Sequence, residues 1–96
     1  MNEKIYYNNL YDYYKDLLTE KQREYFEDYN FNDFSLAEIS ENENVSRNAV
    51  FNQIKNIKEK LDFFEEKLKL YENSLKIKEL IKALDEDVKR EIEGLI

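Results

Sequence analysis

The sequence predicts an all-α protein: an N-terminal four-helix helix-turn-helix head, without a wing, followed by long C-terminal helices. Three observations predict it. The 96 residues include no Pro and one Gly, and 39% are charged, a composition that favours helices and gives β-turns little to work with. Apolar residues recur at three- and four-residue spacings along most of the chain. Three helix-start signals fall close together, at Thr19, Ser35 and Ser46. The length is one domain's worth, and the 42% apolar content argues for a folded chain despite the charge.

The first helix is read from Tyr6 to Leu18, with Tyr7, Leu10, Tyr11, Tyr14, Leu17 and Leu18 on one apolar face. "TEKQ" at 19–22 is a capping box, in which Thr19 accepts from the Gln22 amide and Gln22 reaches back. It starts a second helix that turns Tyr25, Phe26 and Tyr29 inward and ends near Asn30. "SLAE" at 35–38 repeats the device and opens a short third helix with Leu36 and Ile39 buried. Ser46 caps the fourth. Between helices three and four, at about 42–45, the residues suit a helix-turn-helix. Ser40 is small enough for a close helix crossing, and Asn44 tolerates positive φ. Val45, Val50 and Ile54 are expected to pin the second helix on the first, whereas Glu43 stands where such turns often place an apolar residue.

Beyond the turn, Val50, Ile54, Ile57, Leu61, Phe64, Leu68, Tyr71 and Leu75 alternate in steps of four and three, the spacing of a heptad seam. The fourth helix is therefore expected to run to about Leu70. A break near Asn73 and Ser74 should lead to a last helix over about 76–95, striped by Ile77, Leu80, Ile81, Leu84, Val88, Ile92 and Leu95. The reading divides the chain into a helix-turn-helix domain, 1–60, and a helical extension, 61–96. An apolar stripe left uncovered on a helix signals a partner. The extension is accordingly read as a homodimer interface carried by Leu61, Phe64, Leu68, Tyr71, Leu75, Leu84 and Val88. A hairpin folding both stripes together within one chain is the alternative.

Composition removes most chemistry. There is no His or Cys for a zinc site or a thiol nucleophile, and no glycine-rich loop for a phosphate. The expectation is a protein that is not an enzyme and takes no metal or cofactor. No stretch approaches the roughly 18 apolar residues that span a bilayer. "MNEKIYYNNLYDYY" lacks a basic segment followed by an apolar run, so it does not read as a secretion signal. Together with the absence of Cys, this points to the cytoplasm, with no membrane partner.

Charge is segregated. Residues 1–45 carry four basic and eleven acidic side chains, a net of −7, and residues 61–96 carry seven and ten, a net of −3. Residues 46–60 hold Arg47, Lys55, Lys58 and Lys60 against Glu59 alone, a net of +3 within a chain whose total is −7. The basic helix is interleaved with Asn48, Asn52, Gln53 and Asn56, and Asn and Gln read base edges while Arg and Lys contact phosphate or guanine. Ser46, Arg47, Asn48, Phe51, Asn52, Lys55 and Lys58 are thus the candidate residues for nucleic acid or another partner. Four cations are few for an acidic body, so one copy should bind a duplex weakly and two copies better.

The stretches "LYDYY" at 10–14, "LLTEKQ" at 17–22, "SLAEI" at 35–39, "VSRNAV" at 45–50 and "KLKLY" at 67–71 resemble the YlxM-like family. These are small bacterial proteins whose helix-turn-helix is similar to region four of sigma factors. The resemblance covers about residues 10–71, with Ile54 and Leu61 also matching, and Glu43 departs from it. It implies a regulatory protein of the signal recognition particle pathway, one that contacts the particle's RNA, its GTPase or both. A DNA-binding transcriptional regulator and a protein-only adaptor dimer are the alternative readings.

Overall fold

Every helix start legible in the sequence is used. Thr19 and Ser35 each close a capping box: the Thr19 hydroxyl accepts from the Gln22 amide and the Ser35 hydroxyl from the Glu38 amide, while the Gln22 and Glu38 side chains accept from the cap amides. The Ser46 hydroxyl accepts from the Ala49 amide at 3.0 Å. Each cap satisfies donors that a helix start would otherwise leave open, for about 1 kcal/mol. In this computed structural model, which describes residues 2–96, the α-helices are α1 (Glu3–Tyr14), α2 (Glu20–Asn30), α3 (Leu36–Glu43), α4 (Arg47–Leu68), α5 (Leu70–Leu80) and α6 (Glu86–Glu93). No strand occurs among the described residues, so the all-α class holds.

The core gathers on α4, against which α1, α2 and α3 all pack. Val50, Ile54, Ile57 and Leu61 form its buried stripe and meet Leu10, Tyr11, Tyr14 and Leu18 from the first segment, Tyr25 and Phe26 from α2, and Ile39 from α3. Tyr11 stacks on Phe26 with ring centroids 4.4 Å apart. Each such side chain contributes roughly 1.5–3 kcal/mol by leaving water. Leu17 departs from the expected inward face and is exposed. The reason is local: α1 ends at Tyr14 and the chain tightens into a 3₁₀ turn over Lys15–Leu17, which rotates Leu17 outward and leaves Leu18 to fill the core.

The C-terminal half differs from the expectation in two places. The break falls at Lys69, not at Asn73 and Ser74, and the last stretch is two helices with a turn between Leu80 and Glu86 rather than one helix over 76–95. Lys69 adopts the left-handed conformation, φ 54° and ψ 30°, a strained choice for a residue with a Cβ. Glu65 explains why it persists. Its carboxylate accepts from the Tyr71 amide (3.2 Å) and the Glu72 amide (3.0 Å), so a side chain of α4 caps the start of α5. Tyr14, fully buried on α1, donates its hydroxyl to the same carboxylate (2.6 Å) and accepts from the Leu70 amide (3.0 Å). The bend is therefore tied to α1 from both sides.

Ser74, which looked like a helix breaker, is instead a contact residue. It is buried in α5 and its Oγ accepts from the Tyr13 hydroxyl at 2.7 Å, while the Tyr71 hydroxyl accepts from Asn9 at 3.2 Å. A small side chain there lets α5 lie close on α1. The second break does have a sequence signal: the Asp85 carboxylate accepts from the Asp87 amide and caps α6, ahead of an acidic first turn.

Burial and the hydrogen bond to Glu65 push the Tyr14 phenol up to about 12, burial being the larger cause. Because the folded value lies above the ordinary 10.0, the stability it brings is complete below about pH 10 and is lost as pH rises toward 12. Urea titrations at neutral pH should show Tyr14→Phe less stable by about 1–2 kcal/mol, from the lost hydrogen bonds around Glu65. Between pH 10 and 12 the variant should lose stability less steeply than the parent.

Candidate nucleic-acid interface

The turn that presents α4 is built as the sequence indicates. Asn44 takes φ 55° and ψ 47°, the left-handed geometry that ends α3. The Val45 amide then donates to the Ser40 carbonyl at 3.0 Å. Ser40 is buried, its Oγ donating to the Ala37 carbonyl at 2.8 Å, so nothing bulky separates α3 from α4. Val45 is a correction: it closes the turn with its main chain, and its side chain is exposed rather than pinning the helices. Glu43 is explained by α2. Lys21 donates to its carboxylate, and the resulting ion pair, with the Glu43 side chain 19% exposed, fills the place of an apolar contact. That hydrogen bond raises the Lys21 pKa.

With Val50, Ile54, Ile57 and Leu61 turned inward, the helical period leaves one outward stripe at the start of α4. Ser46, Arg47, Asn48, Phe51, Asn52 and Lys55 are all exposed along it, about three turns of helix. Phe51 stands half open to solvent beside buried Val50. Lys58 does not join the stripe. It turns back to α1, pairs with Glu3 at 3.1 Å and lies over the Tyr7 ring, 5.4 Å from its centroid. Lys60 is drawn to the Gln22 side chain on the opposite flank, at 3.3 Å. Of the four cations of the basic segment, Arg47 and Lys55 are the two without a salt bridge or side-chain hydrogen bond among the described residues.

The start of α4 is also electrostatically distinct. Each of the other five α-helices carries an acidic residue in its first turn, which complements the positive end of the helix dipole. The first turn of α4 carries none, and places Arg47 there instead. Its open amides and Arg47 make a positive edge suited to an anion such as phosphate.

The candidate interface residues of the extension divide. Leu61 is a correction: it is fully enclosed in the core of its own chain and has no surface to offer a second copy. Phe64 and Tyr71 are half-buried against that same core, Phe64 beside the Tyr14 ring at 5.9 Å and Tyr71 beside Tyr6 at 6.0 Å. Leu68, Leu75, Leu84 and Val88 remain exposed, by 44–49%.

A short α3, a left-handed turn residue and an exposed face at the start of α4 define a helix-turn-helix protein. Comparison places it more closely. The profile of the family described as "Putative helix-turn-helix protein, YlxM / p13 like" matches residues 1–94, and the chain belongs to that family. It is 42% identical over 91 residues to a UPF0122 protein of Halalkalibacterium halodurans, covering 95% of this chain and 84% of that one. A UPF0122 protein of Fusobacterium nucleatum is 41% identical over 103 residues, covering 100% of this chain and 94% of that protein. One from Thermoanaerobacter is 54% identical over a shorter 56 residues, 58% of this chain and 48% of the relative. No helix among the described residues is long and apolar enough to cross a membrane.

The turn geometry yields a direct expectation. Asn44→Val forces a β-branched residue into the left-handed region and should lower unfolding stability by on the order of 2 kcal/mol, whereas Asn44→Gly should stay within about 1 kcal/mol of the parent. Chemical denaturation of the two variants checks both.

Proposed function

We propose that the protein is a regulatory nucleic-acid-binding protein that uses the exposed stripe Ser46, Arg47, Asn48, Phe51, Asn52 and Lys55, with RNA of the signal recognition particle as ligand and the particle's GTPase as the activity it modulates. The observation that carries the nucleic-acid reading is the start of α4: an exposed helix-turn-helix second helix that, unlike the other five, has Arg47 and no carboxylate in its first turn. For stability alone that choice is unfavourable by roughly 0.3–1 kcal/mol. It is favourable toward phosphate. The choice of RNA and GTPase rests on the resemblance to the YlxM-like proteins.

Two cations per copy give a weak grip, since affinity for a nucleic-acid backbone grows with each phosphate neutralised. The reading therefore includes a homodimer through the exposed apolar residues of the extension, Leu68, Leu75, Leu84 and Val88, which doubles the basic face.

Gel-shift and GTPase assays with purified particle RNA and GTPase test the first part. Arg47→Ala and Lys55→Ala should each weaken RNA binding about three- to tenfold and flatten its salt dependence, with the fold unchanged by circular dichroism. Unchanged binding in both variants, or no effect of the protein on RNA and GTPase, refutes it. If random duplex DNA is bound with an enriched sequence at about 0.1 M salt, the ligand is DNA instead.

Sedimentation tests the second part. At tens of micromolar the parent should run as a dimer and Leu84→Lys as a helical monomer, because an unpaired charge in the contact costs several kcal/mol. A monomeric parent ends the dimer reading.

A further inference from the structure

A furrow between α1 and α4 is bordered by Lys58, which Glu3 holds. Its first part is a hollow of about 380 Å³ floored by Tyr7, Tyr29, Leu36 and Ile54, with Phe51 at the mouth. The floor is apolar and aromatic, and Phe51 is 53% exposed. At Asp62 the furrow passes into a second hollow of about 450 Å³, lined by Tyr6, Tyr71 and Leu75. The two hollows meet at Asp62, and the second adds apolar lining from α1 and α5. An aromatic trough of this size takes apolar side chains of a partner.

Charge decides which partner. The walls of the two hollows bear the carboxylates of Glu3, Glu59, Asp62, Glu65, Glu66 and Glu72 against the ammonium groups of Lys55, Lys58 and Lys69. Two of those cations are already spent, Lys58 on Glu3 (3.1 Å) and Lys69 on Glu72 (3.5 Å). Glu65 and Asp62 hold tyrosine hydroxyls, which neutralise neither. The burial of Tyr7 and its hydrogen bond to Asp62 push that phenol further up, so it stays a neutral donor. Glu59 and Glu66 have no salt bridge among the described residues. The negative excess is small in the first hollow and large from Asp62 onward, where a phosphate backbone would be repelled.

We propose that this furrow docks a basic peptide segment of a partner protein, one whose apolar side chains enter the aromatic floor while its Lys or Arg residues face Glu59, Asp62 and Glu66. The furrow prolongs the outward stripe toward α5: Phe51 and Lys55 border both, with Arg47 and Asn48 at the start of α4 and Glu59, Asp62 and Glu66 further along it. One helix then serves two partners of opposite charge, nucleic acid at its exposed start and a basic protein along its side. The inference goes beyond the nucleic-acid reading and does not need it.

The test uses the full chain and a fluorescein-labelled amphipathic peptide of Leu and Lys, about 14 residues long. A control peptide has the same number of Lys residues with Gly and Ser in place of Leu. Fluorescence anisotropy should show the Leu/Lys peptide binding at least tenfold more tightly than the control. Glu59→Lys and Glu66→Lys should each weaken it at least fivefold, whereas Glu86→Lys, the same reversal on α6, should leave it within twofold. Amide NMR shifts on titration should concentrate at Leu36, Glu59 and Asp62. Equal loss in all three charge reversals would show attraction to the acidic body alone and overturn the proposal, as would equal binding of the two peptides. Competition by an RNA hairpin for the same NMR-mapped residues would assign the furrow to nucleic acid and overturn it too. Failure of the Arg47→Ala RNA test leaves every one of these outcomes unaffected, so the two readings fail separately.

Discussion

Everything in this fold depends on one stripe of four residues. Val50, Ile54, Ile57 and Leu61 lie on α4 at steps of four, three and four, and each is at most 4% exposed. α1, α2 and α3 all pack on α4 through this stripe. Burying it fixes the rotation of α4 about its own axis, and with it which side chains face outward. The outward stripe from Ser46 to Lys55 and the acidic flank from Glu59 to Asp62 are consequences of that one choice. A single residue inserted between Ala49 and Val50 would turn Ser46, Arg47 and Asn48 by about 100° relative to the stripe. The candidate surface is therefore specified by the core.

The head was legible because its signals are local. Two capping boxes, a hydroxyl cap, a small residue at a crossing and an amide residue in a turn each act within four residues of their own position, so the sequence displays them directly. What escaped was non-local. Lys69 carries nothing that marks a helix break; its conformation is imposed by Glu65 four residues before it and by Tyr14, distant in sequence and adjacent in space. Likewise Glu43 read as a defect until Lys21, on another helix, supplied its partner. Ser74 misled for the same reason: burial against Tyr13 required a small residue, and small residues also end helices. Of the candidate site, the stretch from Ser46 to Lys55 followed from the helical period. The diversion of Lys58 did not, since its cause is Glu3 at the other end of the domain.

An excess of carboxylates in a small domain is a folding cost, because like charges repel and desolvated carboxylates lose hydration. The structure meets it with tyrosine. Tyr7 donates to Asp62, Tyr11 to Glu27 and Tyr14 to Glu65, each phenol packing its ring inward and turning its hydroxyl to an acid near the surface. In each case the phenol's pKa is raised, with burial the first cause and the carboxylate the second. A neutral donor stabilises an anion without adding a cation. Three of the eight Tyr do this, and the net charge of −7 stays on the surface instead of being cancelled.

That choice bears on the long alternating stripe. Read as a coiled-coil seam, Val50 to Leu75 asks for one straight helix and a partner along its whole length. The bend at Lys69 divides it. The first half, to Leu61, is consumed by the core; Phe64 and Tyr71 close around Tyr14 and Tyr6; Leu68 and Leu75 are left outside. Straightening the chain at Lys69 would strip Glu65 of the two amides it caps and take Ser74 from Tyr13, while relieving only one left-handed residue, a gain of roughly 1 kcal/mol. The Leu70, Tyr71 and Glu72 amides would regain helical carbonyls, so what holds the bend is the seat of α5 on α1: Ser74 on Tyr13, and Tyr71 on Asn9 and Tyr6. The bent form is thus the favoured one, and the stripe is better understood as two short surfaces with different owners, an inner one that builds the domain and an outer one that the extension keeps exposed.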